Sequence, residues 1–166
     1  GGSASYDFNK DAENVHLWTL NFSASAIPVT SISQKYTEGK LSKITSFDEN
    51  ENKVITYTDL SGNIILKKVQ EAAAASLTQE HSGWVCTYYV YDDFGLLRFI
   101  ITPKAVKYLD GNGWNLTQSI IDEVCFRYQY DEKGRVITKK QPGAGEQVVV
   151  YDKKERPILS QDANQK

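Results

Sequence analysis

The chain has no methionine, and its 166 residues include only two cysteines, two histidines and four prolines. His16 and His81 stand far apart and neither adjoins a cysteine, so the ligand spacing of a zinc site is missing and each reads as a surface or strand residue. No histidine lies beside Cys86 or Cys125, so a cysteine nucleophile lacks its base, and no serine is singled out either. No run approaches the ~20 apolar residues of a membrane-spanning helix. A formal charge of −2 gives nothing to recruit nucleic-acid phosphates or an anionic membrane, so neither partner is expected.

What is abundant is aromatic: ten Tyr and three Trp, which suit the pleated surface of a sheet. They concentrate in one pattern, clearest in FRYQYDEKGRVITKK from Phe126 to Lys140. Tyr128 and Tyr130 lie two apart and share a face of an extended strand. Asp131 opens a turn that closes on Gly134, and Arg135 begins a second extended run. Asp suits the start of such a turn because its carboxylate accepts backbone N–H groups, and Gly suits the left-handed position that ends it.

The same hairpin recurs around Asp59 with Gly62, around Tyr89, Tyr91, Asp92 and Gly95, and around Tyr151 and Asp152, where Glu155 takes the glycine position. A looser copy has Asp48 in the turn and Glu51 in the glycine position. Thr58 stands where the other copies carry Tyr91, Tyr130 and Tyr151. Asp-to-Asp intervals of 11, 33, 39 and 21 residues make the period irregular, so insertions are expected between copies. Units of this kind stack on their neighbours because none buries its own apolar face.

The pattern Y-x-Y-D-x-x-G-R resembles the YD repeat of the RHS family, which includes bacterial polymorphic toxins and the animal teneurins, and the longer stretch around it is similar to RHS-repeat proteins of Bacteroides-like bacteria. The resemblance spans roughly residues 40–165. It implies a mainly β fold, an antiparallel hairpin-repeat curved sheet with one or two short helices, forming a segment of an RHS β-shell. It also implies a secreted or cell-surface location. The implied partners are the remaining RHS repeats of a longer chain and an encapsulated C-terminal effector. None of the four prolines follows an Asp, so the family's self-cleaving D-P-x-G-L element is missing here, and no effector is recognisable.

Residues 1–14 read as a frayed start, with Gly1-Gly2-Ser3 resembling an expression scar rather than a signal peptide. Residues 15–166 read as one YD-repeat β-domain, with hairpins near 40–58, 54–69, 84–102, 124–141 and 147–161 and an insertion over 103–122. Val15–Phe22 reads as a strand, Glu71–Gln79 as a brief helix or linker, Pro103–Lys107 as a helical turn and Asn115–Asp122 as a short helix.

No catalytic residue, metal ligand or cofactor site emerges. Asp48-Glu49-Asn50-Glu51-Asn52 comes nearest to a calcium loop but lacks the central Gly and terminal Glu, so it reads as a solvated turn. The leading expectation is a non-catalytic structural segment. The alternatives are a carbohydrate or cell-surface adhesion module using exposed aromatics, with cell-surface glycans as partners, and an enzyme with converging carboxylates. Strand parity predicts Tyr89, Tyr91, Tyr128 and Tyr130 on a buried face, with Tyr88, Arg127 and Gln129 on the other. Cys86 and Cys125, on matching strands two spacings apart, are expected as free thiols. An open sheet with raw edges is expected to self-associate.

Overall fold

Each Asp-led turn reverses an extended run, and repeated reversal gives a meander. The computed structural model describes residues 3–20, 27–71 and 80–162. Ten strands form one open antiparallel sheet, hydrogen-bonded in strict sequence order. They are β1 (Ser5–Phe8), β2 (Ser42–Phe47), β3 (Lys53–Thr58), β4 (Ile64–Gln70), β5 (Trp84–Tyr91), β6 (Leu97–Ile101), β7 (Cys125–Tyr130), β8 (Val136–Lys140), β9 (Glu146–Tyr151) and β10 (Pro157–Asp162). Two short helices, α1 (Pro103–Asp110) and α2 (Gln118–Val124), join β6 to β7. Residues 72–79, the alanine-rich stretch read as a brief helix or linker, lie outside the described residues.

Because the strands alternate in direction, the turns at Asp59, Asp92, Asp131 and Asp152 all fall at one end of the sheet. The Asp48 turn has the same local form but falls at the opposite end. The four aligned hairpins share a second feature. Thr58 pairs with Ile64 but Tyr57 pairs with Leu66, which leaves Ile65 as an extra residue on the returning strand. The same step leaves Arg98, Ile137 and Ile158 unpaired in the later hairpins. The Asp48 hairpin runs in unbroken register from Phe47–Lys53 to Ser42–Thr58. A bulge of this kind strengthens local twist and shifts which side chains face the core.

One face of the sheet is covered. Trp84, Cys86, Tyr88 and Val90 of β5 point into it with Leu66, Phe99 and Ile101. The cover consists of α1 and α2, through Ala105, Val106, Leu109 and Ile121, together with Trp114, Leu116 and an N-terminal arm carrying Val15 and Trp18. Pro103 at the first turn of α1 removes an N–H that would have lacked a partner, and the Thr117 hydroxyl accepts from Ile120 N at 3.4 Å to cap α2.

Three expectations are corrected. Tyr88 is fully buried, whereas Tyr89 and Tyr91 are half-buried on the opposite face. On β7 Arg127, Tyr128, Gln129 and Tyr130 are all half-buried, so that strand does not separate the two sets. The parity assignment fails because the residues read as a mere insertion supply the covering layer. Residues 3–14 are not frayed: β1 pairs with β2 from Ser5–Thr45 to Phe8–Ser42, and buried Asn9 donates to Thr37 O at 3.0 Å and accepts from Leu41 N at 2.8 Å. Within 15–20 the backbone makes isolated bridges, His16 to Lys35 and Thr19 to Val29, rather than the expected strand. Residues 21–26, the rest of that stretch and the start of the following loop, lie outside the described residues.

Candidate functional site

The turn end of the sheet is where the repeat residues converge. In every Asp-led turn, one carboxylate oxygen accepts from the backbone N–H two residues on and again four residues on. For Asp59 the donors are Ser61 and Asn63, both at 2.9 Å. For Asp92 they are Phe94 and Leu96 at 3.0 Å. For Asp131 they are Lys133 and Arg135 at 2.9 Å, and for Asp152 Lys154 at 2.8 Å and Arg156 at 2.9 Å. These bonds favour the ionised form and hold the Asp131 and Asp152 carboxyls below their ordinary range. Gly62, Gly95 and Gly134 have φ of 84°, 77° and 73°, the left-handed values that the turn demands.

Arg135 adds a grip of its own. Its Nε donates to the second Asp131 oxygen at 2.8 Å, and its guanidinium lies 4.5 Å from the centre of the Tyr151 ring in the next hairpin. Arg156 repeats the first contact, with Nε donating to Asp152 at 2.9 Å.

The tyrosine before each Asp has a specific task. Strands β4 and β5 are paired only over Leu66–Gln70 and Trp84–Tyr88, so they part before reaching the turns. The Tyr91 hydroxyl donates across that gap to Ile64 O at 3.0 Å. Tyr130 donates to Leu97 O at 2.6 Å, and Tyr151 to Val136 O at 2.7 Å. In all three the acceptor is the fifth residue after the preceding turn Asp. Each hydroxyl therefore replaces a missing rung of the ladder between two hairpins, and Thr58 is too short to do so in the first copy. The acceptor carbonyls were not legible, because any residue type supplies one.

The gap between the Asp59 and Asp92 turns opens into a cleft of about 470 Å³. Trp18, Tyr36, Tyr89, Tyr91 and Phe94 line it alongside Asp59, Asp92 and Asp93. Of the repeat residues named from sequence, the structure thus brings Asp59, Tyr89, Tyr91, Asp92 and Gly95 together. Gly62, Asp131, Gly134, Arg135, Tyr151 and Asp152 sit along the same edge outside the cleft, and Tyr128 contributes its backbone carbonyl to Arg98 Nε at 3.1 Å. Trp18 and Tyr36 of the arm were not foreseen, since nothing local marks them as neighbours of a turn.

A second cluster was missed altogether. His16 and His81, expected at the surface or on strands, are buried together with ring centroids 5.7 Å apart. His16 stacks on Trp114 at 3.6 Å, and its backbone N–H donates to the Tyr88 hydroxyl at 2.9 Å. The same hydroxyl meets His81 Nε2 at 2.7 Å. Burial lowers His16 to about 4 and His81 to about 3, helped by the nearby charges of Lys35 and Lys68. Both rings are therefore neutral at pH 7, binding the arm to the sheet without charge. Cys86 and Cys125 are free and buried, and burial pushes both thiols up to about 12, which leaves them inert. Among the described residues no three His, Cys, Asp or Glu side chains converge to hold a metal ion. No helix among them is long and apolar enough to cross a membrane.

No model of a known protein family matches the sequence, and comparison with curated proteins finds no match either.

Proposed function

We propose that this chain is a non-catalytic structural segment, a run of stacked hairpins in the wall of a larger secreted or cell-surface protein of the RHS type. In that setting the neighbouring repeats are its partners, and an effector enclosed by the wall is its cargo. One observation carries the reading: the motif's tyrosine hydroxyl spends itself on the backbone of the preceding hairpin at three equivalent positions. A side chain whose polar group is committed to its neighbour's main chain is serving assembly. The Asp and Arg of the motif are likewise turned inward, onto their own turn.

Phenylalanine at positions 91, 130 and 151 separates assembly from recognition, because it keeps the ring and removes the hydroxyl. Each single change is expected to lower unfolding free energy in urea by ~1 kcal/mol, the usual net worth of a hydrogen bond. The three should add closely. Unchanged stability in the triple variant would defeat the structural reading.

The cleft supports a second reading, a carbohydrate-binding adhesion module. Its aromatic rings offer stacking surfaces, and Asp59, Asp92 and Asp93 offer acceptors for sugar hydroxyls. A glycan array with Trp18→Ala and Tyr89→Ala controls distinguishes the two. Binding abolished by both substitutions would shift the function to adhesion.

A further inference from the structure

Three carboxylates, those of Asp59, Asp92 and Asp93, line the cleft of about 470 Å³ between the Asp59 and Asp92 turns. Among the described residues no lysine or arginine lines it with them. The cleft lies within the sheet, between β4 and β5, each of which pairs with a further strand on its other side. Its shape is therefore set by how these two strands part and by the arm that crosses them.

Backbone bonding inside a turn orients a carboxylate without cancelling its charge. Asp59 spends one oxygen on the Ser61 and Asn63 N–H groups, and its other oxygen has only the Asn63 amide at 3.5 Å. Arg98 stands 3.7 Å from Asp92 and offsets that charge in part. Asp59 and Asp93 have no ion pair among the described residues. Lys35 and Lys40 line the adjoining groove instead, and Lys35 Nζ is held by Asn14 at 2.6 Å. The phenols feel the resulting field. Burial and then the charge of Asp59 push Tyr36 up, and burial, Tyr89 and Asp59 do the same to Tyr91. Two of the rings are also fixed in place: Tyr91 by its bond to Ile64 O at 3.0 Å, and Trp18 by edge packing on Tyr88 with centroids 6.0 Å apart.

We propose that this cleft binds an organic ammonium ion, seated among the aromatic rings and facing the carboxylates of Asp59 and Asp93. An aromatic face attracts a cation through its quadrupole, most strongly where water is displaced, and pre-set rings lose little freedom on binding. Uncompensated carboxylates add to the attraction, whereas a neutral ligand gains nothing from their charge. A hard metal ion is poorly served, because it takes six or more oxygen ligands and no three acidic, histidine or cysteine side chains converge among the described residues. The volume falls in the range of roughly 300–1,000 Å³ that small-molecule sites occupy. The inference is independent of the structural reading, which gives this cleft no task, and it competes with the sugar reading for the same rings.

The test titrates the full chain with choline and with its uncharged tert-butyl analogue, in which carbon replaces nitrogen, following the ligand methyl resonances by NMR. Lysine amide serves as a third ligand. Choline is expected to saturate the protein with its methyl signal moved upfield by ring currents, and the analogue to bind at least about tenfold more weakly. Asp93→Asn, at an exposed residue outside the turn bonds, should weaken choline several-fold, and Tyr89→Leu should reduce the upfield shift. Tighter binding of lysine amide than of choline would support a primary ammonium as the ligand, and the reverse a quaternary one. Absence of saturation by either cation overturns the inference. So does equal affinity for the analogue, or choline binding that both substitutions leave unchanged. The Phe variants at 91, 130 and 151 report separately on the structural reading, so this inference can fail while that reading stands.

Discussion

Glu155 adopts φ of 62° at a position where three sister turns have glycine, and Glu51 has the same value in the Asp48 turn. A left-handed non-glycine residue costs ~1–2 kcal/mol. Its ion pair with Lys133 at 2.9 Å is exposed and offsets little of that. Glycine brings an entropic cost of its own, ~0.5–1 kcal/mol. Glu155→Gly is therefore expected to stabilise the protein by up to about 1 kcal/mol, read as a higher urea midpoint with an unchanged slope. The histidine pair predicts a pH effect of definite sign. Both folded values lie below the ordinary 6.5, at about 4 for His16 and about 3 for His81, so the unfolded chain binds more protons below pH 6.5. Stability should fall as pH drops through that window, by roughly 1.4 kcal/mol per unit for each ring. His81→Gln should cut the slope by about half, and equal stability at pH 7 and pH 5 would contradict the assignment. Asp131 and Asp152 add their loss at lower pH, because their depressed values matter only where free carboxyls protonate.

At the level of the hairpin, the extra residue six places after each aligned Asp keeps the later part of the returning strand in phase. Deleting Ile137 should turn Thr138 and Lys140 out of their buried positions and cost several times what Ile137→Val costs, as measured by chemical denaturation. The turns were legible because their chemistry is local: an Asp, two N–H groups within four residues and a left-handed position at the third. Strand existence was legible for the same reason, each strand being bounded by a turn. Face assignment was not. Trp84, Cys86, Tyr88 and Val90 alternate with Val85, Thr87, Tyr89 and Tyr91, and both sets are apolar enough to be buried. The choice is made by α1, α2 and the arm, whose contacts with β5 lie far away in sequence. Pairing of His16 with His81 was hidden in the same way. Even the tyrosines before the turn aspartates were identified for their rings, whereas their hydroxyls make the contact that repeats.

Across the whole molecule, the cover is uneven. The arm and the helices shield the middle of one face, while Tyr6 and Phe8 on β1 and Val148, Val150 and Ile158 near β10 remain exposed. Among the described residues the outer sides of β1 and β10 have no ladder partner, which favours pairing with another chain. Sedimentation velocity over a hundredfold concentration range is expected to show reversible association, weaker when Val148 and Val150 are changed to Thr.

The strict order of the strands also sets the sequence of folding events. Every rung of the sheet joins consecutive strands, so the chain pays for few long loop closures before its first contacts form, and five of the hairpins can close while later residues are still being synthesised. The arm is the exception: the bond from His16 to Tyr88 spans 72 residues. It has to wait until Tyr88 and Trp114 have been made, so the arm, although synthesised early, seats well after the first hairpins have closed.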